Sequence, residues 1–125
     1  MIPCKILIDY RFCICTTNSS GENSYYIGSK DGEPEFATSL QRALLYKHHT
    51  NASKILSQKL SNKGCVKKVD KYIFLKSTPS NFPSEGLVFD DETKFKDRIA
   101  AIEQASGGIV QTTYERGSLE LFLML

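Results

Sequence analysis

The sequence predicts an α+β fold: a mainly antiparallel sheet with helices packed on one face, in the order β-β-α-α-β-α-β-β. Three observations predict it. Ile6, Ile8, Tyr10, Phe12 and Ile14 alternate with Lys5, Asp9, Arg11, Cys13 and Cys15, the period of two of a half-buried strand. Residues 36 to 64 carry helix start, period and stop signals. Segments rich in β-branched and aromatic residues flank that stretch on both sides, and helices segregated from strands make two layers.

Length and composition set the bounds. At 125 residues, the chain is expected to form one domain over residues 1–125. A chain of that size buries about two-thirds of its unfolded surface and needs no metal or disulfide to hold a core. Hydrophobic content of 41% and charged content of 24% are globular values, which argues against a disordered chain. No apolar run approaches the roughly 18 residues of a membrane span. No basic-then-apolar leader opens the sequence, so a cytoplasmic protein with no membrane partner is expected. In that compartment Cys4, Cys13, Cys15 and Cys65 are expected to be free thiols.

Taken in order, strand one is followed by the turn composition of residues 18–23. A second strand, Ser24 to Ser29, carries Tyr25, Tyr26 and Ile27 and completes an antiparallel hairpin. Lys30 to Pro34 is read as a turn that feeds the helices. Thr38 with Gln41 makes a capping box, and Leu40, Ala43 and Leu44 share one helical face that ends at Tyr46. His48 and His49 interrupt it. Thr50 is a fresh N-cap for a second helix on Ala52, Ile55, Leu56 and Leu60, with Gly64 placed at its C′ position.

Val66 to Leu75 is too continuously apolar at its end for a one-sided strand and is expected to lie centrally in the sheet. Ser77 to Gly86 reads as a mobile surface loop, and Leu87 to Phe89 as a short strand. Asp90, Asp91 and Glu92 open a helix with the apolar face Phe95, Ile99 and Ile102, stopped by Gly107 and Gly108. Ile109 to Tyr114 and Leu119 to Met124 read as a hairpin about Gly117. The final strand is either covered on both faces or an exposed edge through which a homodimer could form.

Charge is unevenly spread. From Arg42 to Lys76, nine basic residues stand against Asp70 alone, a net of +8, and the remainder carries −6. Two readings stay open: a solvated surface, with lysines at a helix end answering its dipole, or an anion-binding patch. Arg42, Lys47, Lys54, Lys67 and Lys68 are the candidate patch. Lys59 falls on the apolar stripe of its helix, where its stem is expected to pack.

The search for chemistry is mostly negative. Cys13 and Cys15 share a strand face, but there is no Cys-x-x-Cys pair and no His-x-x-x-His spacing, so no metal and no cofactor are expected. The adjacent His48 and His49 cannot share a helix face. No P-loop, dinucleotide fingerprint or nucleophile elbow is present.

Two resemblances bear on function. Cys13-Ile14-Cys15 and Tyr26-Ile27-Gly28, ten residues apart, are similar in spacing to the two strand motifs of the GIY-YIG nucleases. That resemblance implies a phosphodiesterase site with Tyr26 as the tyrosine, Arg42 as the arginine and Glu92 as the metal-binding glutamate, with His48 or His49 nearby. Cysteines replace the glycine and the tyrosine of the first motif. Asp31-Gly32, Phe36, Thr38, Ala43, Tyr46, Ala52 and Leu60 resemble a strand-turn-helix unit of small phage and mobile-element accessory proteins. This second resemblance implies a protein of the host cytoplasm that binds and inhibits a host protein or nucleoprotein complex, as an anti-CRISPR does.

Between Phe36 and Val69 there is no acid, and water activation by a metal requires convergent acids. The expectation is therefore a non-enzymatic binding protein. Nucleic-acid binding by residues 42–76 is the alternative, and a divergent nuclease a further one.

Overall fold

The computed structural model describes residues 2–74, 82, 86–105, 107 and 110–117. The fold is α+β, and among the described residues it is a mainly antiparallel sheet of six strands with two α-helices. The strands are β1 (Ile2–Thr17), β2 (Asn23–Lys30), β3 (Glu33–Ala37), β4 (Cys65–Phe74), β5 (Leu87–Phe89) and β6 (Val110–Arg116). The helices are α1 (His49–Lys59) and α2 (Glu92–Ala105). The sheet runs β3-β2-β1-β4-β5, with β6 paired to β1 in parallel from Ile2↔Val110 to Ile8↔Arg116.

The chain divides into two compact units. Unit one is Met1–Asp9 with Asp70–Leu125, and unit two is Tyr10–Val69. In unit one, α2 lays Phe95, Ile99 and Ile102 on Cys4, Ile6 and Ile8 of β1 and on Tyr72 and Phe74 of β4. The Phe95 ring stacks on Tyr72 with centroids 3.5 Å apart. The acids at the start of α2 divide their work. Asp91 Oδ1 accepts the Thr93 N–H at 2.8 Å as an N-cap, while Asp90 and Glu92 pair one turn on with Lys94 and Lys96.

In unit two, Ile14, Tyr26, Ala52 and Leu60 form the core, with Phe12, Tyr46, Ile55 and Leu56 packed against it. Asn18 folds the β1–β2 turn, its Oδ1 accepting the N–H groups of Ser20 and Glu22, each at 2.9 Å.

Several expectations are corrected. Residues 30–34 do not feed a helix: Asp31 (φ 53°) and Gly32 (φ 82°) make a two-residue hairpin turn into β3. No helix starts at Thr38. Only a 3₁₀ turn, Leu40–Arg42, forms after Ser39, without a side-chain cap. The chain then runs extended, with the Leu44 N–H donating to Tyr26 O at 2.9 Å and Phe12 and Tyr46 exchanging backbone bonds of 2.7 and 2.8 Å. Two helical turns are marginal on their own, and the carbonyls and amides of β1 and β2 outcompete them.

His48, not Thr50, is the N-cap of α1, and it makes no side-chain cap bond. Helix α1 ends through left-handed Ser61 (φ 52°) and Asn62 (φ 59°), so Gly64 is not its C′ residue. Gly64 (φ 134°) is instead where two backbones meet, since a Cβ there would stand 2.7 Å from Cys15 O. β1 is more than half-buried, because Leu7, Cys13 and Cys15 on its other face are buried too. β6 pairs in parallel with β1, which no sequence signal announced. The expected strand Leu119–Met124, its use in a homodimer, and most of the loop 77–86 lie outside the described residues.

Two outcomes follow from this packing. Gly64→Ala should destabilise the protein by more than about 1 kcal/mol, because both its φ and the approach of Cys15 O exclude a side chain. Chemical denaturation checks this, and an unchanged midpoint would refute the close approach.

The second concerns alkali. Burial pushes the Tyr72 phenol up to about 12, and the Asp70 carboxylate adds to it. Unfolded, the phenol ionises near about 10. The fold therefore favours the protonated form, and this contribution is intact below about pH 10 and lost as pH rises through the folded value. Tyr72→Phe should lose less stability than the native chain across that window, measured by unfolding at a series of pH values.

Candidate binding surface

The two units differ in charge. Unit two carries nine lysines and arginines against four acids, net +5, and unit one seven against ten, net −3. The four acids of unit two are Glu22, Asp31, Glu33 and Glu35, all before Phe36.

Within unit two, Tyr10 is 49% exposed although it lies in the middle of β1. Its ring stands edge-on to Phe12 at 5.8 Å, and Phe12 stands edge-on to His49 at 5.5 Å. Phe12 is half-buried against the unit's core and anchors the row. The Lys68 ammonium lies 4.6 Å from the centroid of Tyr10, a cation–π contact in reach of solvent. At the far end, the His49 ring shares a hydrogen bond of 3.1 Å with Ser53 Oγ. Tyr46, bonded through its backbone to Phe12, carries Lys47 as its chain neighbour. Burial pushes the Tyr46 phenol up, with Tyr26 adding to the shift.

Of the candidate patch, Lys68 is thus placed on the aromatic row and Lys47 next to a residue that borders it. Lys67 is half-buried on β4, while Arg42 and Lys54 are exposed, at the end of the 3₁₀ turn and on α1. Lys59 is exposed and, with Lys63, lines a groove of about 410 Å³ beside Phe36 and Leu60. The groove lies at the carboxyl end of α1, where those lysines answer the helix dipole.

The residues of the nuclease alternative belong to different units. Tyr26 is buried and its hydroxyl shares a 2.8 Å bond with Ser29 Oγ. Arg42 is an exposed residue of the same unit, whereas Glu92 belongs to unit one and pairs with Lys96 at 3.7 Å. Among the described residues, no group of three His, Cys, Asp or Glu could hold a metal ion.

Unit one has its own cavity, about 400 Å³, with Tyr72, Phe95 and Tyr114 in its wall. Its charges are mutually engaged. Arg116 reaches Asp70 at 3.4 and 3.5 Å, which raises the guanidinium pKa further, and Lys96 faces Glu92.

Compared with protein-family models, with curated proteins and with solved structures, the chain matches none. No helix among the described residues is long and apolar enough to cross a membrane.

Tyr10 was missed by sequence reasoning because strand alternation assigns it inward beside Ile8 and Phe12. No local signal marks it, because its exposure depends on which parts of β1 other elements cover.

All four cysteines are free, with Cys4, Cys13 and Cys15 buried and Cys65 exposed. Burial pushes the Cys4 thiol up, and Glu103 adds to it. In the native protein a thiol reagent should modify Cys65 first and the other three only on unfolding. Mass spectrometry of partly modified protein checks this, and equal rates at all four would contradict the packing.

Proposed function

We propose that this chain is a non-enzymatic binding protein that docks through unit two on a host protein or nucleoprotein complex and modulates it, in the manner of a phage-type inhibitor such as an anti-CRISPR. The observation that carries this reading is Tyr10, held half-exposed on a rigid strand with Lys68 over its ring. A rigid aromatic with a cation beside it loses little entropy on binding and offers a large contact area, which is why such residues dominate interface energetics.

The buried Tyr26 hydroxyl, engaged with Ser29, supports binding over phosphodiester cleavage. No cleavage of plasmid or single-stranded substrate is expected with magnesium or manganese. Metal-dependent nicking that disappears in both Tyr26→Phe and Glu92→Ala would promote the nuclease instead.

The interface test is capture from a host lysate by the native chain and by Tyr10→Ala, followed by affinity measurement with the recovered partner. Loss of a central aromatic anchor should weaken binding by about 30-fold or more. Equal affinity would overturn the proposed surface.

A second reading, nucleic-acid binding by the basic segment, is favoured by the absence of any acid from Phe36 to Val69. Salt separates the two readings: phosphate contacts weaken steeply as salt rises, whereas an aromatic-centred protein interface does not.

A further inference from the structure

The geometry points to single-stranded nucleic acid as the ligand of the Tyr10 face of unit two, with a base stacked on Tyr10 and the adjoining phosphates held by Lys68. The inference rests on the second reading above, and adds to it the strand state of the ligand and the residues that select it.

Tyr10, Phe12 and His49 stand in series at 5.8 and 5.5 Å, each nearly perpendicular to the next. Phe12 sits between the two other rings and is packed against the core, while Tyr10 and His49 remain exposed. Stacking requires a base whose face is open. In a duplex the base faces are already covered by their neighbours, so a ring on a strand surface discriminates for unpaired strands.

Lys68 is exposed and rests its ammonium over the ring that would take the base. An ammonium over an aromatic face is held weakly in water, and a phosphate oxygen attracts it more strongly through a charge-assisted hydrogen bond. An arriving nucleotide exchanges places with the ammonium: the base covers the ring and the ammonium turns to the phosphate. No further cation has to be recruited.

Unit two has a net charge of +5, and after Glu35 it has no carboxylate side chain to repel a phosphate backbone.

Fluorescence anisotropy tests this with a labelled oligothymidylate of about 12 nucleotides, a length within the usual site size, and a duplex of the same length, both at low and at moderate salt. The strand should bind more tightly than the duplex. Tyr10→Ala should weaken strand binding by about 5- to 150-fold and leave duplex binding nearly unchanged. Tyr10→Phe, which keeps the stacking ring, should retain strand binding, and this variant separates lost stacking from a disturbed fold. Lys68→Glu should weaken both ligands and flatten the salt dependence.

Equal affinity for strand and duplex, or strand binding indifferent to Tyr10→Ala, would overturn the inference and leave the basic-segment reading standing. No binding of either ligand at low salt would overturn both.

Discussion

The structure depends on the unbroken extension of β1 through sixteen residues. Its even-numbered side chains supply Cys4, Ile6 and Ile8 to the core of unit one, and Phe12 and Ile14 to the core of unit two. Its backbone pairs with β6 over the first stretch and with β2 over the last. An extended strand offers one side chain to each face per two residues, so a single segment can serve two clusters only if no turn residue interrupts it. No Gly stands within β1, and its one Pro, Pro3, is at the start. Tyr10 falls on the same alternation as Ile8 and Phe12 yet stays half-exposed, and it is there that the proposed surface lies.

The division of charge gives the two units different surfaces. In unit one the acids and bases are tied together: Lys5 with Glu115, Lys94 with Asp90, Lys96 with Glu92 and Arg116 with Asp70. Exposed pairs of this kind add little stability individually, but they cancel the field around them. The surplus of unit two has no comparable supply of acids, and one of its lysines, Lys68, lies over a surface aromatic. A net positive field and a ring with a cation beside it are the two ingredients from which anion-directed recognition is built.

Much of the fold was legible in the sequence, for identifiable reasons. The face Phe95, Ile99 and Ile102 and the acids before it announced α2, and alternation announced β1, because in both cases local period and tertiary burial agree. Residues 40–46 misled because their helical period competed with bonds to Phe12 and Tyr26, more than fifteen residues away in the chain. β3 was hidden by Pro34 and two glutamates, residues poor in a central strand but tolerated at a sheet edge, where the topology puts it. The Asp31-Gly32 pair was the signal that could have revealed it. The candidate surface was half legible. Lys68 was among the expected cations, but the exposure of Tyr10 depends on what covers β1, and no local pattern encodes that.

The division into units also sets an order of assembly. Unit two is one continuous stretch, Tyr10–Val69, whereas unit one needs the first nine residues together with everything after Val69. As the chain leaves the ribosome, every residue of unit two is available before α2 or β6 has been made. Domains fold as units during synthesis, with earlier residues first. The basic unit can thus complete its core while Ile6 and Ile8 still wait for partners. Until α2 and β6 have been made, the early segment of β1 lacks the elements that cover and pair it, and an uncovered apolar strand is open to wrong association.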